Sequence, residues 1–158
     1  MHISRRSFLL ASIGSLAFTM KKPQVMTING WMDASKMGKA LIHEHFLVDF
    51  IGADKTNTSR WDKEKVIAKV LPYLLEVKAL GINTIFDCTP NFLGRDVELL
   101  KLLAKRSGLQ ILTNTGYYGA MYNKFLPQWA HTETAEQLAD RWIKEFKISK
   151  NKWSIRER

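Results

Sequence analysis

The sequence predicts a parallel α/β fold, on three observations. Short apolar runs suited to strands alternate with stretches whose apolar residues recur at helical spacing. Each helical stretch stops at a glycine or a turn. Connections after strands are long and those after helices are short; in such folds the loops at the carboxyl ends of strands build the active site. The 158 residues suit one domain rather than two, and a hydrophobic fraction of 46% gives that domain a core to bury.

Residues 1–20 read as an address. Arg5-Arg6 stands directly before an apolar run, residues 8–18, broken only by Ser12, Gly14 and Ser15. The run is shorter than the about 20 apolar residues that span a bilayer. A basic segment followed by a short apolar one is the layout of a secretory signal. The paired arginines with Phe8-Leu9 resemble a twin-arginine export signal, which implies delivery by the export machinery, folded, to the periplasm. The competing reading is an N-terminal helix packed on the domain. Ala17-Phe18-Thr19 lacks a small residue at its end, so cleavage is left open.

The body, 21–146, opens with a hairpin over 24–38: Val25-Met26-Thr27-Ile28 is strand-like and Asn29-Gly30 is a tight-turn pair. Three strand–loop–helix units follow. In the first, Ala40-Leu41-Ile42 runs into His43-Glu44-His45, and a helix opens at the N-cap Asp62. Its stripe is Ile67, Val70, Leu71, Leu74 and Leu75, Pro72 is expected to kink or divide it, and Gly81 to end it. In the second, Thr84-Ile85-Phe86 is strand, residues 87–94 are loop, and a helix capped by Asp96 carries Leu99, Leu100, Leu102 and Leu103 up to Gly108. In the third, residues 109–112 are strand and 114–131 loop, and Thr134 with Gln137 makes a capping box. The helix behind it is expected to bury Ala135, Leu138, Ala139, Trp142 and Phe146.

The net charge of +9 does not signal nucleic-acid binding. Residues 1–22 and the tail 147–158 each carry +4, which leaves the folded part almost neutral, and nucleic-acid binders need a basic face on that part. Cys88 is the only cysteine, so no intrachain disulfide and no thiolate zinc cluster can form.

His43 and His45 carry the chemistry. Residues i and i+2 of a strand share a face, about 6.6 Å apart, so two imidazoles there can converge on one divalent ion, while Glu44 points the other way. On its own the pair also reads as two polar residues on a half-exposed strand. Flanking Leu41-Ile42 and Phe46-Leu47-Val48 set it in apolar surroundings, where ligation is the usual resolution for buried imidazoles.

Leu41-Ile42-His43-Glu44-His45-Phe46-Leu47-Val48-Asp49 resembles the first barrel strand of the phosphotriesterase family, within the amidohydrolase group of (β/α)8 hydrolases. Asp87-Cys88-Thr89-Pro90 with Gly94-Arg95-Asp96 resembles the family's second strand end and loop, and Thr115-Gly116-Tyr117-Tyr118 its third. The resemblance implies an incomplete TIM-type (β/α)8 barrel: about the first three β/α units, preceded by the hairpin. It implies two divalent metals, zinc-like, in a complete site, whose hydroxide attacks a small-molecule ester, lactone or phosphotriester. His43 and His45 match the strand-1 ligands of one metal. Tyr117 and Tyr118 fall either where pocket-lining aromatics lie or in packing beneath a long loop. Arg95-Asp96 reads as a loop anchor and helix cap rather than a catalytic pair, Asp87 as a loop hydrogen-bonder or an approach to the site, and Cys88 as a small buried hydrophobe.

No residue is assigned as catalytic acid, base or nucleophile. The family pattern needs a lysine ending strand 4, histidines ending strands 5 and 6, and an aspartate ending strand 8. The remaining histidines, His2 and His131, fall in the leader and in a loop. The tail 147–158 is basic, lacks glycine and departs from the family pattern. The expectation is therefore a truncated, inactive, weakly stable fragment produced by a frameshift or premature stop. The alternative is a small exported α/β ligand- or metal-binding module without turnover. Substrate and oligomeric state stay open. The coding DNA tests the truncation: another frame past Lys147 is expected to encode a Gly-rich turn, an apolar strand and a lysine, and their absence overturns it.

Overall fold

The computed structural model describes residues 22–152, with side chains up to Lys147; the segment of Arg5 and Arg6 and residues 153–158 lie outside the described residues. The elements are β1 (Gln24–Thr27), β2 (Gly30–Asp33), β3 (Lys39–Glu44), α1 (Lys63–Ala79), β4 (Ile82–Asp87), α2 (Val97–Ser107), β5 (Gln110–Thr113) and α3 (Ala135–Lys152). Among the described residues no helix is long and apolar enough to cross a membrane.

β1 and β2 form the expected antiparallel hairpin, but its turn is Ile28-Asn29, one residue earlier than expected, with Gly30 already in β2 and paired with Thr27. β3, β4 and β5 form a parallel sheet in chain order. Right-handed crossovers in such an order put α1 and α2 on one face. Their stripes meet the sheet there in one cluster: Ile67 and Leu74 of α1, Leu99, Leu100 and Leu103 of α2, Ile85 of β4 and Ile111 of β5. Ile28, just past β1, joins the cluster and donates its N–H to the Ile111 carbonyl at 2.9 Å, docking the hairpin on β5. The uncovered side leaves Ile42 74% exposed.

The ladder between β3 and β4 is irregular. Leu41 pairs with Ile85 and Glu44 with Asp87, so three steps on β3 face two on β4. This one-residue bulge falls on Ile42 and His43, where bulges commonly re-aim a side chain, and it offsets an opposite shift between Lys39 and Ala40, which face Ile82 and Thr84.

Caps follow the sequence reading. Asp62 accepts from the N–H groups of Glu64 and Lys65, and Asp96 from that of Leu99 at 3.1 Å. Gly108 ends α2 in the left-handed conformation, and Thr134 and Gln137 bond reciprocally ahead of α3.

Three details differ. α1 is continuous through Pro72; Pro72 and Ala68, whose carbonyl loses its partner, are both exposed, so water can serve that carbonyl. Leu75 faces solvent rather than the core. Of the expected α3 stripe, Ala135, Ala139 and Phe146 are exposed, and Leu138 and Trp142 are half-buried. Contacts of that helix with the body include Glu145 with Arg95, Arg141 over the Trp129 ring, Trp142 with Tyr117, and Phe146 edge-on to Trp31.

The loop after β3 is held by Asp49, which accepts from Arg60 Nε at 2.6 Å, the Thr56 hydroxyl at 3.0 Å and the Ile51 N–H. Its own N–H donates to the Leu93 carbonyl at 2.8 Å, tying this loop to the one after β4. The contact is backbone against backbone. A Cβ on Gly94 would lie 2.9 Å from Asp49 N and 3.2 Å from Leu47 O, at a φ of +111° that side chains rarely adopt. Asp96, two residues on, also accepts from Trp61 Nε1 at 3.1 Å and Lys63 Nζ at 3.3 Å.

Gly94→Ala is expected to cost about 2–3 kcal/mol, from left-handed strain plus the backbone clash, measured by chemical denaturation. For Asp49, burial alone would raise the carboxyl, but Arg60, Thr56 and the Ile51 N–H together hold it below its ordinary value of 3.8. A depressed carboxyl stabilises the fold above its unfolded pKa and loses that effect as pH falls through the folded one. Asp49→Asn should therefore be less stable than the parent at neutral pH, and the gap should close as pH drops below 3.8. Denaturation midpoints of both proteins across pH check this.

Candidate metal centre

The carboxyl ends of β3, β4 and β5 open on a cleft of about 740 Å³ whose lining includes His43, His45, Cys88, Tyr117, Tyr118 and Trp142. His43 is on β3 within the bulge, and His45 lies one residue past the strand's end. The rings stand edge to face with centroids 5.3 Å apart. The structure thus brings the two imidazoles together in one cleft that Glu44 does not line; Glu44 lines a neighbouring apolar hollow with Val70 and Tyr73, which His45 also borders. It corrects the expected surroundings: both histidines are exposed, because they stand at an open cleft mouth and not inside an apolar core.

Below His45 lies a buried polar chain. His45 Nδ1 is 3.0 Å from the Thr89 hydroxyl, which donates to Asp87 Oδ1 at 2.8 Å. The Phe46 N–H also points to Oδ1, at 3.4 Å, and Asn114 Nδ2 donates to the Asp87 carbonyl at 3.3 Å. Thr89 is 1% and Asp87 3% exposed. Burial pushes the Asp87 carboxyl above its ordinary value, and the bonds from Thr89 and Phe46 offset that only in part. Asp87 thus bonds the loop and braces His45 through Thr89.

Cys88 is half-buried at the cleft wall, its thiol 3.7 Å from the Ile42 carbonyl, and so is not the fully buried hydrophobe expected. His131 is exposed in a short turn, Gln128–His131.

Tyr117 and Tyr118 both line the cleft. Tyr117 is half-buried among Phe92, Trp129 and Trp142, with centroids 5.5–5.6 Å away, and burial raises its phenol. It packs the loop and lines the cleft with the same ring. Tyr118 is 42% exposed and lies against Phe125, which is itself 1% exposed. Arg95, whose side chain is 6% exposed, bonds the Asn114 carbonyl at the end of β5 and Glu145 of α3, an anchor as expected. Trp142 was legible only as part of a helix stripe; its place in the cleft wall depends on how α3 docks.

Two neighbouring imidazoles suit a zinc-like divalent ion as two of its donors. Among the described residues no group of three His, Cys, Asp or Glu side chains converges as a metal nest. A catalytic zinc takes three protein ligands, so these residues fit part of a coordination shell.

The sequence matches the Phosphotriesterase family over residues 23–156, ten residues into the tail that departs from the expected pattern. It is 28% identical over 129 residues to a "Phosphotriesterase homology protein" of Mycobacterium tuberculosis, covering 78% of this chain and 40% of that protein. An aryldialkylphosphatase of Saccharolobus solfataricus is 24% identical over 116 residues, covering 73% and 36%. Among solved structures, a triply substituted organophosphorus hydrolase from Deinococcus radiodurans superposes with a TM-score of 0.55 at 32% identity, over 61% of this chain and 30% of that one. The chain spans about two fifths of the length of these curated relatives. With its strand-end histidines, its parallel sheet and a family match that runs through nearly all of the described residues, this chain belongs to the phosphotriesterase family.

Proposed function

We propose that this chain carries the first part of a metal-dependent hydrolase site of the phosphotriesterase and lactonase type, in which His43 and His45 hold one divalent, zinc-like ion of a pair. The observation that carries this reading is the placement of both imidazoles, 5.3 Å apart, in the wall of one cleft at the carboxyl end of a parallel sheet. The three strands are read as the opening of a (β/α)8 barrel, in line with the 30% of the organophosphorus hydrolase chain that this chain covers. Bound ions of this kind lower the pKa of a water and polarise the oxygen of the bond under attack. The chain's own residues do the rest: the imidazoles fix the ion, while Tyr117, Tyr118 and Trp142 keep water from one wall and seat an apolar group of a small ester, lactone or phosphotriester. Names such as aryldialkylphosphatase among its relatives support that substrate range. Arg5-Arg6 supports export to the periplasm by the twin-arginine route.

A second reading, a binding module without turnover, is favoured by one observation: the described residues supply two converging donors and no third. Metal analysis and turnover of the full chain separate the two. The hydrolase reading expects about two ions per chain and cleavage of an aryl ester, lactone or phosphotriester. The binding reading expects one weakly held ion or none, and no turnover. In either case His43→Ala and His45→Ala should each weaken cobalt or zinc binding by at least about tenfold in a calorimetric titration. Metal binding that is unchanged in the double variant overturns the assignment of these residues.

A further inference from the structure

The buried pair under His45 has an arrangement that its hydrogen-bonding capacity determines. Asp87 Oδ1 receives the Phe46 N–H at 3.4 Å and the Thr89 hydroxyl at 2.8 Å, so this oxygen is an acceptor. A threonine hydroxyl has one proton, and here it goes to Asp87. Toward His45, 3.0 Å away, the Thr89 oxygen can then only accept, which requires the imidazole proton to be on Nδ1. A neutral imidazole protonated at Nδ1 keeps its lone pair on Nε2. His43 has no such support among the described residues: its ring makes the edge-to-face contact with His45 and no hydrogen bond to another described residue.

We infer that Thr89, held by Asp87, is a positioning residue that fixes His45 as the Nδ1–H tautomer and presents Nε2 as the metal-binding nitrogen. This rests on the reading of His43 and His45 as ligands, and it adds which nitrogen of His45 binds and which residues decide that. The assignment is local to β3 and the loop after β4, so it holds in the metal-free protein. Partners that orient a ligating histidine are typically worth 10–100-fold in metal affinity. Valine matches threonine in shape but offers His45 no acceptor, while serine keeps the hydroxyl.

The test has two arms. Long-range proton–nitrogen NMR of the metal-free full chain, at a pH where histidine is neutral, should show His45 with its proton on Nδ1. Thr89→Ser should keep that pattern, and Thr89→Val should give a mixture or the opposite tautomer. Cobalt titration should show Thr89→Val weakened at least about tenfold and Thr89→Ser within a few-fold of the parent. A parent chain whose His45 proton sits on Nε2 overturns the inference without any variant, which covers the case in which Thr89→Val fails to fold. Equal cobalt affinity in the parent and a folded Thr89→Val also overturns it. A parent that binds no cobalt at all, yet shows the Nδ1–H tautomer, defeats the ligand reading and leaves the hydrogen-bond chain standing.

Discussion

The described body depends on one crowded point, where Gly94, Arg95 and Asp96 draw the loops of all three β/α units together. At Gly94 the backbone after β4 touches the backbone after β3, with no room for a side chain. Arg95 reaches the end of β5 and the third helix. Asp96 caps α2 and receives the indole of Trp61 and the ammonium of Lys63 from the start of α1. Each residue supplies something its neighbours cannot: absence of bulk, a long forked cation, a short buried acceptor. Because all three loops form the cleft, this contact also sets the distance between its walls.

Much of the fold was legible because its signals are local. The β1–β2 hairpin, the caps at Asp62 and Asp96, Gly108 in left-handed geometry and the Thr134–Gln137 box each depend on residues within a few positions of one another. What failed depends on surfaces brought from elsewhere. The stripe of α3 looked like a core face, yet Phe146 is 44% exposed, since an amphipathic helix is only as buried as the surface it meets. Pro72 does not divide α1, and Ala68, whose carbonyl it deprives, is an exposed residue, so water can serve that carbonyl.

The candidate site divides along the same line. The histidine pair was legible as a spacing of two, and it does share one cleft, but in exposed surroundings rather than apolar ones. The support beneath it was not legible: Thr89 meets His45 across 44 positions, and only the parallel pairing of β3 with β4 brings them within 3.0 Å. Trp142 was hidden for the same reason. Family membership and the strand-end histidines make this a phosphotriesterase-type frame, while the donors among the described residues amount to two imidazoles.

The surplus residue in β3 makes the strand a jointed rod. Below the joint, Leu41 keeps step with Ile85 and answers to the core; at the joint and above it, His43 and His45 answer to the cleft. Packing changes against α1 can therefore be absorbed without rotating the ligands, and the exit of the strand can drift without disturbing the sheet. Two selective pressures, holding together and gripping an ion, act on adjacent residues of one strand with little interference. Removing a single residue at that joint would couple them again and turn an imidazole toward the helices.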